Sequence, residues 1–297
     1  MERERGRFAP TPSGPLHFGS LLAALASYLF AKAGGGDWLI RIEDLDLPRT
    51  IPGCAEEQVR LLESCGMTSD EPILRQSGRT ATYDALFERL RGSGLLYPCA
   101  CSRKEIATSA SAPHGAEPVY PGTCRDAAVS PGRARAWRFR VPEGVVRFPD
   151  EIFGEQAQDV AREVGDFVVR REQPERTYAY QFAVVADDTA QEMTQVVRGA
   201  DLLDSTARQI VLGRALGFPI PVYAHVPLLV SQSGEKLSKR AGSRQLAEAA
   251  EKGELPVILA ALLATLGQKP TLEQALRTFD PLRIPRQREI RLAPPVE

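Results

Sequence analysis

Two short segments of this chain have the residue types to handle a nucleoside triphosphate. The first is Arg7-Phe8-Ala9-Pro10-Thr11-Pro12-Ser13-Gly14-Pro15-Leu16-His17-Phe18-Gly19-Ser20. Glycine at position 19 lets a nucleotide lie close against the start of a helix, where N–H groups without helical partners and the helix dipole favour phosphate. His17 can donate to a phosphate oxygen. The second segment is Lys236-Leu237-Ser238-Lys239-Arg240, preceded by Ser231-Gln232-Ser233-Gly234-Glu235. Two lysines on a glycine-containing loop can neutralise the charge that builds up as pyrophosphate leaves. Taken singly, the first segment also reads as a proline-rich turn before a helix, and the second as a solvated basic loop.

A third cluster suits a metal. Cys99, Cys101 and Cys124 lie in one segment, and three thiolates suit a tetrahedral zinc ion that needs a fourth ligand to close a structural site. On general coordination chemistry that ligand is His114, because three cysteines with one histidine form a common set. Cys54 and Cys65 fall on an amphipathic helical pattern, so the five cysteines do not describe a disulfide framework.

The elements around these residues alternate. Arg5 to Ala9 reads as a strand, Phe18 to Ala33 as an apolar helix ended by Gly34-Gly35-Gly36, and Trp38 to Ile42 as a strand whose end carries Glu43, Asp44 and Asp46. Val59, Leu61 and Leu62 mark another helix. This order predicts a parallel α/β sheet, with the Pro10 to His17 turn and the Glu43-Asp44 pair both outside the carboxyl ends of strands, where such sheets bind ligands. Residues 97–175 change character, with cysteines, small residues and short β-like runs such as Ala136 to Val141, and read as an insertion. The alternation then resumes with Phe182 to Ala186 as a buried strand ending in Asp187-Asp188, a helix over Leu202 to Leu216, and a strand over Val222 to Val230.

Composition limits the setting. The 297 residues are 43% hydrophobic and 25% charged, with a formal net charge of -1, so no global basic field draws nucleic acid and an RNA partner needs a local patch. The charged start, Met1 to Arg5, lacks the apolar core of a signal peptide. The apolar stretch Leu255 to Leu266, broken by Pro256, is shorter than the ~20 residues that cross a bilayer. A cytoplasmic protein without a membrane partner is expected.

In the order and separation of its two nucleotide segments the chain resembles the class I aminoacyl-tRNA synthetases, whose signatures are read as HIGH and KMSKS. Arg7-Phe8-Ala9-Pro10, Arg41-Ile42-Glu43-Asp44-Leu45-Asp46 and Val197-Arg198-Gly199-Ala200-Asp201-Leu202 resemble the glutamyl subgroup. The resemblance covers roughly Arg5 to Arg240. It implies a Rossmann-type catalytic domain with a zinc-containing α/β insertion and a short helical C-terminal region. It also implies ATP bound by Pro12, His17, Gly19, Ser20 and Lys239 with Mg²⁺, and His17, Lys236 and Lys239 as catalytic residues. With charge logic, it places glutamate between Glu43, for the ammonium, and Arg7 and Arg198, for the carboxylates, completed by Tyr180 and the backbone of Phe8, Ala9, Pro10 and Thr11. Two positions depart from the signatures: Ser20 replaces the second histidine of HIGH, and Arg240 ends the KMSKS-like loop. A histidine often follows the Asp187-Asp188 pair in the glutamyl branch, but here Thr189 does, so that pair receives no role.

Only residues 241–297 follow Arg240, which leaves no room for an anticodon-reading domain. The tail holds one apolar helix pattern and the arginines Arg283, Arg286, Arg288 and Arg291, enough for a small phosphate-facing patch. Such a chain is similar to the glutamyl-queuosine tRNA(Asp) synthetases. That resemblance implies Tyr120, rather than His114, beside Cys99, Cys101 and Cys124 on a structural zinc ion. It also implies tRNA-independent activation of glutamate and its transfer to queuosine at the anticodon wobble position of tRNA(Asp). The expected division is 1–96 and 176–240 as the halves of a catalytic domain, 97–175 as the acceptor-facing insertion, and 241–297 as a helical tail, in a monomer. The competing readings are a truncated synthetase that charges a tRNA 3′ end, a generic nucleotidyl-transferring enzyme, and an inactive zinc-containing RNA-binding relative.

Overall fold

The computed structural model describes residues 3–102, 104–106, 119–172, 176–230 and 239–291, with the backbone alone at 131 and 239–242. Strand β1 (Arg5–Phe8) leads through a proline-rich turn into helix α1 (Phe18–Ala33) and back to β2 (Asp37–Ile42), which pairs parallel to β1 with Arg7 opposite Leu39. The helix is buried on nearly every side, by Leu21, Leu22, Leu25 and Leu29 among others, as its continuous apolar sequence requires. It stops at the glycines: a Cβ on Gly36 would stand 2.4 Å from the Glu4 carbonyl oxygen and 2.6 Å from that of Ala31. Only a glycine lets the chain turn so tightly into β2.

Helix α2 (Cys54–Ser64) follows, then β3 (Leu74–Arg75), parallel to β2, and α3 (Thr80–Gly92). Cys54 and Cys65, at the two ends of α2, are buried as expected of helix residues. β4 (Leu96–Cys99), β5 (Ala136–Phe139), β8 (Val168–Arg171) and β9 (Thr177–Tyr178) form an antiparallel sheet in that order. Between β5 and β8 the chain forms the hairpin β6 (Val146–Asp150) and β7 (Gly154–Gln158) and the short helix α4 (Val160–Glu163). This hairpin leaves the antiparallel sheet: β6 pairs parallel with β11 (Val222–Val226), itself parallel to β10 (Gln195–Gly199). The strand order β10-β11-β6-β7 therefore stands beside β1-β2-β3. The two sets are tied where Arg5 N–H donates to Thr194 Oγ1 (2.9 Å) and Thr194 N–H to the Arg5 carbonyl (3.1 Å).

The expected strand over Phe182 to Ala186 is instead part of helix α5 (Tyr180–Ala190). A five-residue apolar run that is buried all round has no periodicity to separate strand from helix. The expected strand over Val222 to Val230 is also interrupted: it divides at Pro227, which has no N–H for a ladder, into β11 and β12 (Leu228–Val230). Helix α6 (Leu203–Ala215) lies between β10 and β11.

Helices α7 (Lys239–Lys252), α8 (Leu255–Thr265) and α9 (Leu272–Arg277) complete the chain with β13 (Glu289–Arg291), parallel to β12. Leu262, Leu263, Leu266, Ala275 and Ile290 share one apolar core with α1, β1 and β2. The tail is thus packed against the first half of the sheet. A second core joins α3, the antiparallel sheet, α5 and α6. Among the described residues no helix is long and apolar enough to cross a membrane.

Candidate active site

The turn after β1 is held from three sides. The Pro10 carbonyl accepts from Glu43 N–H (2.9 Å), that of Pro12 from Ile51 N–H (2.9 Å), and those of Thr11 and Gly14 from Gln58 Nε2 (3.1 and 2.7 Å). His17 is the N-cap of α1: its Nδ1 accepts from Ser20 N–H (3.3 Å), while Ser20 Oγ accepts from His17 N–H (2.9 Å). This reciprocal box gives Ser20 its place in the motif, and an acceptor at Nδ1 puts the imidazole proton on Nε2. Gly19 clears the ring, since a Cβ there would lie 3.1 Å from His17 Cε1. No acidic residue occupies the first turn of α1, so its N-terminus suits an anion. Pro12, His17, Gly19 and Ser20 thus lie along this one turn and the start of α1. Lys236 lies outside the described residues, and of Lys239 and Arg240 only the backbone at the start of α7 is described.

Beyond the strand ends lies a charged pocket. Arg7, on β1, donates to Asp188 from Nε (2.9 Å) and Nη2 (3.3 Å); Arg41, on β2, reaches the same carboxylate (2.7 Å) and Glu43 (3.2 Å). All four are buried. Burial alone would push the Asp188 carboxyl up, but Arg7 and Arg41 overcome it and hold it down at about 2. For Glu43 the balance goes the other way: burial raises its carboxyl above the usual range despite Arg41 and Arg7. Asp44 and Asp46, the other acids of this segment, serve the local turn, by accepting from Ser77 N–H and Oγ (both 2.8 Å) and by pairing with Arg49.

Arg198, near the end of β10, is buried in a different way. Its Nε donates to His225 Nε2 (3.0 Å), Nη1 to Gln209 Oε1 (2.8 Å) and Nη2 to Thr206 Oγ1 (2.7 Å). Among the described residues no carboxylate bonds it. A guanidinium has five N–H donors, and these bonds engage one on each nitrogen, so the second N–H of each Nη suits a bidentate carboxylate. Tyr180, at the first turn of α5, is partly exposed at the surface but sits among Arg198, Glu43, Arg7 and Asp188, and the protein crowded round it raises its phenol. Burial pushes Tyr223, beside the same groups, up to about 12. Arg7, Glu43, Tyr180 and Arg198 thus lie close to one another. Phe8 is core, Ala9 partly buried, and the carbonyls of Pro10 and Thr11 are engaged in holding the turn.

Sequence reasoning missed Arg41, Asp188 and His225. The Asp187-Asp188 doublet was visible, and the helix separates its members: Asp187 accepts from Gln76, Arg79 and Tyr83, while Asp188 faces Arg7 and Arg41. A cavity of about 730 Å³, lined by Arg5, Asp188, Thr194, Gln209, Ile220 and Tyr223 among others, opens by the strand starts and touches this cluster through Asp188 and Gln209, but includes neither Arg7 nor Glu43 nor Arg198.

The thiols of Cys99, Cys101 and Cys124 lie within 4.8 Å of one another. The Tyr120 hydroxyl stands 3.5 Å from Cys99 Sγ and 3.9 Å from Cys101 Sγ and accepts from Cys124 N–H (2.9 Å). Arg138 donates to Cys99 Sγ (3.3 Å) and lies 3.7 Å over the Tyr120 ring. Burial works against the Cys99 thiolate, but Tyr120 and Arg138 bring its pKa below the ordinary range. Three soft sulfurs and a phenol converging in this way fit a metal ion. His114 lies outside the described residues.

The family model for the catalytic domain of class I tRNA synthetases (E and Q) matches residues 4–284. A Burkholderia mallei protein named glutamyl-Q tRNA(Asp) synthetase is 54% identical over 266 residues, covering 88% of each chain. One of the same name from Geobacter sulfurreducens is 52% identical over 274 residues, 91% of this chain and 86% of that one. The crystal structure of a glutamate tRNA ligase from Elizabethkingia meningosepticum in complex with its amino acid superposes with a TM-score of 0.83 at 27% identity, covering 98% of this chain and 67% of the other. With these matches spanning nearly all of its sequence, the chain belongs to the class I glutamyl and glutaminyl tRNA synthetases and, within them, to the glutamyl-Q tRNA(Asp) synthetase family.

Proposed function

We propose that this protein is a cytoplasmic enzyme that activates L-glutamate with ATP, without tRNA, and transfers it to the queuosine base at the wobble position of tRNA(Asp). The observation that carries the amino-acid choice is Arg198, a buried guanidinium whose hydrogen-bond partners among the described residues are all neutral. An acidic side chain supplies the missing anion, whereas glutamine would leave the arginine uncompensated. On this reading Glu43 receives the ammonium, Arg7 the α-carboxylate and Tyr180 borders the substrate.

The glutamate α-carboxylate oxygen attacks the α-phosphorus of ATP, and the bond to pyrophosphate breaks. Through Nε2–H, His17 stabilises the charge on the phosphates, and Lys236 and Lys239 neutralise the leaving pyrophosphate. Pro12, Gly19 and Ser20 line the nucleotide at the start of α1. Mg²⁺ bound with ATP would neutralise part of its charge. A queuosine hydroxyl then attacks the carbonyl of the mixed anhydride, AMP departs and carries the negative charge, and the hydroxyl proton passes to water. Positioning of the acceptor against so reactive an anhydride is the main requirement. Cys99, Cys101, Cys124 and Tyr120 would hold one structural zinc ion that shapes the insertion within 97–175, the segment proposed to face the acceptor.

Glutamate-dependent exchange of pyrophosphate into ATP in the absence of tRNA tests activation, and its absence from the metal-replete protein refutes it. Labelled glutamate remaining on the anticodon fragment after ribonuclease cleavage supports the acceptor, and label on the 3′ end assigns charging instead. About one zinc per purified chain, lost on Cys124→Ser, is the expected metal analysis.

A further inference from the structure

His225 stands opposite Arg198 in the register of β10 with β11, and Asp150 ends the next strand, β6. Neighbouring strands thus carry a buried line of three side chains. Asp150 Oδ2 is 2.6 Å from His225 Nδ1, and His225 Nε2 accepts from Arg198 Nε (3.0 Å). Asp150 Oδ1 is already engaged by the N–H groups of Ile152, Phe153 and His225. Arginine nitrogens only donate, so Nε2 must be bare and the imidazole proton must sit on Nδ1, facing Asp150. Thr206 Oγ1 accepts from Arg198 Nη2 and lies 3.1 Å from the same Nε2, so its hydroxyl shares the single lone pair of that nitrogen with Arg198 Nε. That tautomer therefore sets the Nε bond of Arg198 and also bears on the Nη2 bond.

We propose that Asp150 and His225 are positioning residues for Arg198, which hold its guanidinium through a neutral imidazole so that its charge is kept for an acidic substrate side chain over an amide. This rests on the reading that Arg198 meets the glutamate side chain. A carboxylate touching Arg198 would fix it equally well but would satisfy its charge internally. With the imidazole interposed, the carboxylate of Asp150 fixes the proton without pairing with the arginine.

The test compares Asp150→Asn, His225→Gln and the wild-type chain. In Asp150→Asn the side-chain oxygen keeps the three backbone N–H groups and the amide N–H₂ takes the Oδ2 position. It donates to Nδ1, forces the proton onto Nε2 and sets two donors against each other. The expected result is a KM for glutamate in pyrophosphate exchange raised about 10- to 100-fold, as for a lost hydrogen bond to a charged group, with the ATP KM within about twofold. The advantage of glutamate over glutamine should fall in parallel. His225→Gln offers a carbonyl oxygen to Arg198 and an N–H to Asp150 and should stay within about fivefold of wild type. Equal rises for glutamate and ATP, or an unchanged glutamate KM in Asp150→Asn, would overturn the proposal. Nitrogen-15 shifts of wild-type His225 give a readout independent of activity and of variant folding: a protonated Nδ1 with a bare Nε2 supports it, and the other tautomer or an imidazolium at pH 7 overturns it. Absence of any glutamate-dependent exchange in the wild type would refute the functional reading, while the tautomer result still stands on its own.

Discussion

The two sides of the proposed glutamate site bury their arginines by opposite means. On one side Arg7 and Arg41 share the Asp188 carboxylate and Arg41 also meets Glu43, so charge is answered by charge within the protein. On the other, Arg198 is answered by an imidazole, an amide and a hydroxyl. A buried ion pair is costly to break because the remaining partner is stranded. A buried arginine with neutral partners depends instead on an anion from outside. On the proposed function, the first arrangement makes a largely self-neutralised wall, and the second presents the arginine that reads the substrate side chain.

The largest effect should come from breaking the first side. Asp188→Ala strands the buried guanidinium of Arg7 and leaves Arg41 to its weaker pair with Glu43, and should cost about 3–5 kcal/mol in chemical denaturation. Arg198→Leu should cost far less stability, since it removes a charge that no carboxylate among the described residues pairs with, yet it should raise the KM for glutamate by about 100-fold or more with little change for ATP. Equal stability losses in the two variants would erase the distinction between the sides. Gln209→Glu converts one side into the other, because it sets a carboxylate against Arg198 Nη1 where an amide oxygen lies at 2.8 Å. The glutamate KM should rise about 10-fold and the preference over glutamine shrink, with unfolding unchanged or shifted to higher denaturant.

The same contrast explains what the sequence disclosed. Arg7, Glu43 and Arg198 were legible because each lies in a short run with recognisable neighbours at the end of a strand. His17 and Ser20 were legible as part of a short signature at the start of a helix, but the capping box that joins them was not read from the sequence. Asp188 was hidden by a wrong element: as part of a strand, the Asp187-Asp188 doublet ends at a sheet edge, but on α5 the two point about 100° apart, toward α3 and toward the pocket. His225 offered one faint signal, as one of only three histidines and set in the apolar strand Val222–Val226. Its meaning depends on the pairing of β11 with β10 and of β6 with β11, which brings together Asp150, Arg198 and His225 from distant parts of the chain. The excursion of β6 and β7 out of the antiparallel sheet was equally hidden, since local pattern says nothing about which strand a hairpin will pair with.

The smallest effect is a pH dependence that the two sides should not share. Asp188, held at about 2, stays ionised throughout the neutral and mildly acidic range. His225 faces Asp150 from β6, Arg198 from β10 and Arg7 from β1, with Tyr223 on its own strand and the neutral Thr206 and Gln209 of α6. Burial first, and then the two arginines, outweigh Asp150 and lower its pKa from the ordinary 6.5. The unfolded chain therefore binds more protons than the folded one as the pH falls below 6.5, and stability falls with it, by at most about 1.4 kcal/mol per pH unit. Glu43, with its raised pKa, acts in the opposite sense: the stability it contributes is complete below its ordinary 4.5 and diminishes as the pH rises above that value. Denaturation of wild type and His225→Gln at several values between pH 7.5 and 5 cancels the Glu43 contribution, because both proteins carry it. The wild type should lose stability relative to the variant as the pH drops, while a constant difference would show that His225 takes up its proton in the folded protein as readily as in the unfolded chain, and the imidazole would no longer be a neutral spacer between Asp150 and Arg198.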